Sequence, residues 1–285
     1  MKRTCKLIFP TTSGTTTSNS NNNNNNTSTT TTNTNNNNTT TTTTNKTLLK
    51  KILLPIDIES DYQRMYIQDM NWRMNDINQH YHLCKTYPNL LIFPGCIENE
   101  NILNASYDRS IHRLPTLVWL HPYNKAPLCR AAQPLSGMSG NTIEQDKNLL
   151  LAIKNSCPTN LPLRIADARP KLNANANAVQ GKGFENINYL GGSSIASIVF
   201  MDIDNIHVVR HSLAKLRESI YSNINVNNEN NSSNSNTTPT TTADGSTIYS
   251  SKWTAHIASI LKGSVGVADS LMLGHPVLVH CSDGW

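Results

Sequence analysis

The chain has 285 residues, a net charge of +5 and 15% charged residues; this mildly basic, spread-out balance lacks the Lys/Arg run or aromatic signature of a nucleic-acid binder. Its six cysteines (Cys5, Cys84, Cys96, Cys129, Cys157 and Cys281) form no CxxC and accompany no His pair at zinc spacing, which argues against a structural zinc and for a reducing, cytosolic compartment. Residues 1–10 offer only Leu7-Ile8-Phe9 as an apolar core, too short for a signal peptide, and no apolar run approaches the ~18 residues of a membrane span, so membrane contact is expected to be peripheral.

Residues 11–45 contain only Thr, Asn and Ser apart from Gly14, and 223–246 are nearly as poor in apolar side chains. Such tracts bury too little apolar surface to offset chain entropy, so both are expected to be disordered. The expected organisation is a low-complexity segment over 1–47 and one partial domain over 48–285, with 223–246 as an insert in a surface loop.

Short apolar or β-branched runs at 90–93, 116–120, 163–166, 198–203 and 277–280 read as strands covered on both faces. Between them, 142–155 reads as a helix with Thr142 as its polar cap and Ile143, Leu149, Leu150 and Ile153 on its inner face. Ser212 is placed to cap a second helix carrying Leu213, Leu216 and Ile220. A third starts at Ser251, with Trp253, Ile257, Ile260, Leu261, Val267, Ala268 and Leu271 on its stripe; Gly274 ends it and Pro276 opens the last strand. Strands alternating with helices imply an α/β domain with a central mixed sheet flanked by helices.

The last strand runs into His280-Cys281-Ser282-Asp283-Gly284-Trp285. A strand that delivers a Cys into a small Gly-containing loop is how a Cys-based phosphatase begins its phosphate cradle. Loop N–H groups followed by a helix N-terminus stabilise a thiolate and bind an anion in one place. Gly284 lets the backbone curl with its N–H groups inward. Such a thiolate attacks phosphorus and forms a phospho-cysteine, with an Arg six positions after the Cys gripping two phosphate oxygens. That Arg falls beyond Trp285, so the domain is expected to be incomplete at its C-terminus and residues 1–285 by themselves to have no turnover. By itself, Cys281 is as well read as a buried structural thiol at a strand end.

Other segments add weaker signals. Asp167-Ala168-Arg169-Pro170 follows a strand, where α/β sites form, but a charge pair there reads first as a salt bridge fixing a loop. Asn173-Ala174-Asn175-Ala176-Asn177 and Gly181-Lys182-Gly183-Phe184-Glu185 combine small and amide side chains suited to a polar ligand, in a chain that is Asn-rich throughout. His207 reads as a hydrogen-bonded packing residue rather than a general base.

Together these segments resemble the myotubularin family of phosphoinositide 3-phosphatases. The stretches that carry the resemblance, in order, are Trp72-Arg73, Tyr87-Pro88, Pro115-Thr116-Leu117-Val118-Trp119, His121-Pro122, Gln133-Pro134, 167–170, 173–185, 202–210 and 280–285. The resemblance implies a Cys-based phosphatase domain acting on the 3-phosphate of phosphatidylinositol 3-phosphate and the 3,5-bisphosphate, without metal or cofactor. It implies Cys281 as nucleophile and Asp283 as a catalytic residue. It makes Asn177, Asn205, Ile206, Ser282, Asp283, Gly284 and Trp285 headgroup-binding positions. It further implies phosphoinositide headgroups on membranes, and other myotubularin-like proteins, as partners, and a peripheral place on endosomal membranes. This chain departs from the pattern in carrying Ala131-Ala132 where the family has Cys-Ser, and in having low-complexity sequence in place of the family's pleckstrin-type domain. The alternatives are a catalytically dead phosphoinositide- or partner-binding pseudophosphatase, a protein-tyrosine phosphatase, which Asp283 argues against by resemblance, and a fragment that does not fold.

Overall fold

The computed structural model describes residues 57–65, 67, 71–137, 143–230 (backbone alone from 222) and 249–284. The expectations for 1–47, for 231–246, for a start of order near Leu48 and for Thr142 as a cap lie outside these residues. A short helix α1 (Ile58–Arg64) opens the described chain, its Asp57 side chain accepting from the Ser60 N–H (3.1 Å).

Strands β1 (Trp72–Asn75) and β2 (Leu91–Pro94) form a small antiparallel sheet of their own. The run at 90–93 is therefore a strand, but not of the main sheet. Helix α2 (Asn99–Tyr107) follows, then β3 (Thr116–Leu120) and β4 (Pro127–Ala131), an antiparallel hairpin. The sequence hid β1 and β4. β1 carries Arg73 and Asn75 among its four residues, and β4 starts on a Pro and carries Arg130, so neither shows a clean apolar run.

Helix α3 (Glu144–Asn155) then leads to β5 (Leu163–Asp167), α4 (Lys171–Val179), α5 (Ile187–Leu190), β6 (Ala196–Phe200), α6 (Ile206–Asn230), α7 (Trp253–Met272) and β7 (Val277–His280). The main sheet has the order β3-β4-β7-β5-β6, parallel except for β3. The architecture is the expected mixed α/β sheet with flanking helices. Its last strand, β7, slots between β4 and β5, so its far end lies where α/β sheets place their sites.

One face of the sheet packs Leu149, Leu150 and Ile153 of α3 against Ile165, Leu278 and Phe93, all fully buried. Each such side chain contributes about 1.5–3 kcal/mol of burial. On the other face, α7 packs Leu271 and Val267 toward Ala166, Val277 and Cys157. The stripe expected for α7 is turned in part. Leu261 is 61% exposed, and the inner line runs instead through His256, Ile260, Gly263, Val267 and Leu271. A Cβ on Gly263 would lie 3.0 Å from Met201 Sδ and 3.3 Å from Ile203 Cδ1, so the glycine lets this helix approach the sheet closely. Gly274 ends α7 as expected, at φ +93.

Two expectations for α6 are corrected. Ser212 lies inside the helix, not at its cap, and donates to the Val209 carbonyl (2.7 Å). The helix also runs on to Asn230, through the first residues of the tract read as disordered.

Candidate active site at the end of the central strand

Strand β7 ends at His280, and Cys281 follows, half-buried. The next three carbonyls are taken by the protein. Ser282 O accepts from the Gln133 N–H (3.2 Å), Asp283 O from Arg113 Nη1, and Gly284 O from Arg130 Nη2. A trans peptide points its N–H opposite its carbonyl, so tying back the Ser282 and Asp283 oxygens turns the N–H groups of Asp283 and Gly284 to the other side. The Gly284 N–H reaches Cys281 Sγ at 3.2 Å. Gly284 sits at φ +71, and a Cβ there would fall 2.5 Å from the Ala131 carbonyl oxygen, so no other residue fits this turn. The result is the start of an anion cradle built of backbone donors.

The loop supports come from far in sequence. Arg113, 1% exposed, also donates from Nε (2.9 Å) and Nη2 (2.8 Å) to Thr86 Oγ1. Arg130 lies over the Tyr87 ring, 5.5 Å from its centroid, and the Tyr87 hydroxyl donates to the Leu114 carbonyl (3.3 Å). Gln133, at the exit of β4, is fully buried; its Oε1 accepts from Arg169 Nη1, and its Nε2 has no hydrogen-bond partner.

Beneath the loop lies a buried chain of alternating charge. Arg109 forks onto Asp146 (2.6 Å from both Nε and Nη2) and reaches Glu185 Oε1 from Nη1 (2.7 Å). The other Glu185 oxygen is 2.9 Å from His280 Nε2, which is 4.0 Å from Asp167. Asp167 in turn is gripped by Arg169 at 2.9 and 2.7 Å. The Glu185–His280 contact is an ion pair in which the N–H is not aimed at the oxygen. Burial disfavours the charge on both partners. For Glu185, the His280 and Arg109 cations outweigh it and hold the carboxyl well below the ordinary carboxylate range. For His280, the Glu185 and Asp167 carboxylates outweigh it and raise the imidazole above its ordinary value. A protonated His280 also has a donor at Nδ1, which lies 3.2 Å from the Cys281 carbonyl.

The residues expected at the site are arranged as follows. Cys281, Ser282, Asp283 and Gly284 form the loop, and Trp285 lies outside the described residues. Asp167 and Arg169 do form a salt bridge, and Arg169 connects it to the loop through Gln133. The alternating Asn/Ala run forms part of helix α4. Its 3.6-residue period buries Ala174 and turns Asn177 inward, with Nδ2 at 3.4 Å from Gln133 Oε1. Asn205 and Ile206 leave β6 at the same end of the sheet. The Asn205 Oδ1 is occupied, accepting from the N–H groups of His207 (2.9 Å) and Val208 (3.1 Å), so Asn205 caps α6 and has only its NH2 left for a ligand. His207 is exposed in the first turn of α6 and is not the packing residue expected. Gln133, Arg113 and Arg130 were not legible as site residues. The one signal is that Gln133-Pro134 is among the stretches that carry the family resemblance, with no role assigned to it there.

The larger cavity, about 350 Å³, lies elsewhere, between α7 and strands β5 and β6. Among the described residues no helix is long and apolar enough to cross a membrane.

A mixed α/β sheet whose central strand feeds a Cys into a loop of inward N–H groups defines a Cys-based phosphatase-type domain. Residues 24–285 match the family of the myotubularin-like phosphatase domain, and the chain belongs to it. It is 37% identical to Myotubularin of Xenopus laevis over 230 residues, covering 80% of this chain and 35% of that protein. It is 39% identical to Phosphatidylinositol-3,5-bisphosphate 3-phosphatase MTMR2 of Bos taurus over 230 residues, 80% of this chain and 33% of the relative. With the protein of that name from Gallus gallus it shares 39% over 226 residues, 79% of this chain and 36% of the relative. The chain thus spans about a third of the length of the curated relatives it matches.

Proposed function

We propose that the protein removes the 3-phosphate from phosphatidylinositol 3-phosphate or the 3,5-bisphosphate through a phospho-cysteine. The observation that carries this is the Gly284 N–H held on Cys281 Sγ at the end of the central strand. The phosphate oxygens take the loop N–H groups, and the Cys281 thiolate attacks phosphorus in line with the inositol oxygen. The S–P bond forms as the P–O bond to inositol breaks. Asp283, two residues on, is the carboxyl we assign to give the leaving oxygen its proton. Water then cleaves the S–P bond, releasing inorganic phosphate and restoring the thiolate. Asn177, Asn205 and Ile206 border the headgroup, Asn205 through its remaining NH2. The substrate is a membrane lipid, so the protein works at a membrane surface.

Phosphate release by the native protein tests this, with phosphatidylinositol 3-phosphate, the 3,5-bisphosphate, phosphatidylinositol 4-phosphate and a phosphotyrosyl peptide as substrates. Release is expected from the two 3-phosphorylated lipids only, and Cys281→Ser abolishes it. Release from the peptide alone would make the protein a tyrosine phosphatase. Lipid binding with no release would make it a pseudophosphatase.

A further inference from the structure

The side-chain amides beside the loop are oriented by what each neighbour can donate or accept. Arg169 is held by Asp167 (2.9 and 2.7 Å) and by the Gly183 carbonyl (2.8 Å). A guanidinium only donates, so the Gln133 side-chain atom that meets Arg169 Nη1 is its oxygen. Turning the Gln133 amide over would set N–H against N–H. The fold keeps this orientation even though it leaves Gln133 Nε2 buried without a partner, which is unfavourable. The same Oε1 also meets Asn177 at 3.4 Å, and an acceptor there admits only the Asn177 NH2. The asparagine amide is planar, so its Oδ1 lies on the side away from Gln133. Gln133 is fully buried and Asn177 half-buried, so that oxygen faces outward.

Geometry alone places Asn177 beside the anion cradle. The Gln133 that holds its NH2 also donates its backbone N–H to the Ser282 carbonyl of the loop (3.2 Å). At the same end of the sheet, Asn205 has the opposite polarity. Its Oδ1 is consumed by the cap of α6, and its NH2 is left. One amide thus offers an acceptor and the other offers donors. An ionised phosphate only accepts, so it pairs with Asn205 and not with Asn177. A free hydroxyl donates, and the inositol ring of a 3-phosphorylated lipid carries one on each carbon flanking the phosphate, C2 and C4.

We propose that Gln133 is a positioning residue that sets specificity: it fixes Asn177 as an acceptor, and Asn177 receives the hydroxyl of an inositol carbon next to the phosphate in the cradle. A phosphate on that carbon instead sets oxygen against oxygen and is rejected. Gln133 acts only through Asn177. This deepens the lipid-phosphatase reading and rests on it for the headgroup.

Calorimetry on the native protein carrying Cys281→Ser, which binds without turnover, tests it. The ligands are inositol 1,3-bisphosphate and its 2-deoxy-2-fluoro and 4-deoxy-4-fluoro analogues, since fluorine cannot donate a hydrogen bond. One of the two analogues is expected to bind roughly tenfold more weakly than the parent ligand. Gln133→Met removes the acceptor and frees the Asn177 amide to turn, so the ratio is expected to fall to about twofold or less. A Gln133 that merely supports the loop would weaken all three ligands alike and keep the ratio, which overturns the proposal. Asn177→Ala is likewise expected to lose the ratio, and a ratio kept by that variant overturns the proposal too. Should Gln133→Met not fold, proton exchange at the nitrogen-labelled Asn177 side-chain amide decides with Gln133 intact. One proton held on Gln133 exchanges slowly with and without ligand, and fast exchange of both removes the assignment. Equal binding of the three ligands before any change at Gln133 or Asn177 overturns the proposal and leaves the phosphatase reading standing. Binding of none of them removes the headgroup reading and the proposal with it.

Discussion

Gly284 shows how much of the site hangs on one backbone angle. Its φ of +71 and the 2.5 Å gap between a would-be Cβ and the Ala131 oxygen mean that Gly284→Ala forces either the loop or strand β4 to move. Strain of this kind costs about 1–3 kcal/mol, and the hydrogen bond from the Gly284 N–H to Cys281 Sγ lies on the strained residue itself. Urea unfolding is expected to show that destabilisation, and calorimetry a fall in affinity for inositol 1,3-bisphosphate. Unchanged affinity would mean that the Gly284 N–H is not part of the anion cradle. Cys281 and Gly284 were readable because their relation is local, three residues apart. The hydrogen bond from Arg113 to Asp283 spans 170 residues, and no spacing rule reaches that far.

At the scale of elements, Asn205 has two duties that substitution separates. Its Oδ1 caps α6, and only its NH2 is available to a headgroup. Asn205→Ala removes both and is expected to cost about 1 kcal/mol of stability together with headgroup affinity. Asn205→Asp keeps the capping oxygen and replaces the donor by an acceptor, so stability holds while headgroup affinity falls. An Asp variant that binds the headgroup as well as wild type would leave Asn205 as a cap alone. Helix α4 was hidden for a related reason. Its larger aliphatics, Leu172 and Val179, are exposed, and its single buried side chain is the small Ala174. Its tie to the site, Asn177 beside Gln133, spans 44 residues and is a tertiary fact. Helix α7 was legible because it is long and periodic, and Gly274 marks its end. Its rotation was not, because the closest approach is set by an absent side chain at Gly263.

For the whole molecule, the buried charges set a pH window. Glu185, depressed in the fold, adds stability that is fully present above its ordinary value of 4.5 and is lost as pH falls through the depressed one. His280, raised in the fold, adds stability that is fully present below its ordinary value of 6.5 and is lost as pH rises through the raised one. The pair's contribution is therefore fullest between 4.5 and 6.5. Glu185→Ala leaves Arg109 and His280 short of a buried counter-charge and is expected to cost about 3–5 kcal/mol. Its urea midpoint should follow pH less steeply than wild type on both sides of the window. Parallel profiles for the two proteins would remove Glu185 from the linkage. Arg109, Asp146, Glu185, His280, Asp167 and Arg169 bind the segment after α2, α3, β5 and β7 into one support under the loop, so damage there is also expected at the site.

The sequence by itself determined the α/β class, the central strand, the Cys-bearing loop and the family, because each is written in a short run of neighbouring residues: an apolar strand, a glycine, a helix period. Only the tertiary structure decided that β7 enters between β4 and β5, that Gln133, Arg113 and Arg130 hold the loop, and that Glu185 faces His280. Those relations join residues distant in the chain. Paired burial creates them, since a polar or charged side chain enters the interior only where an opposite charge or hydrogen-bond partners arrive with it.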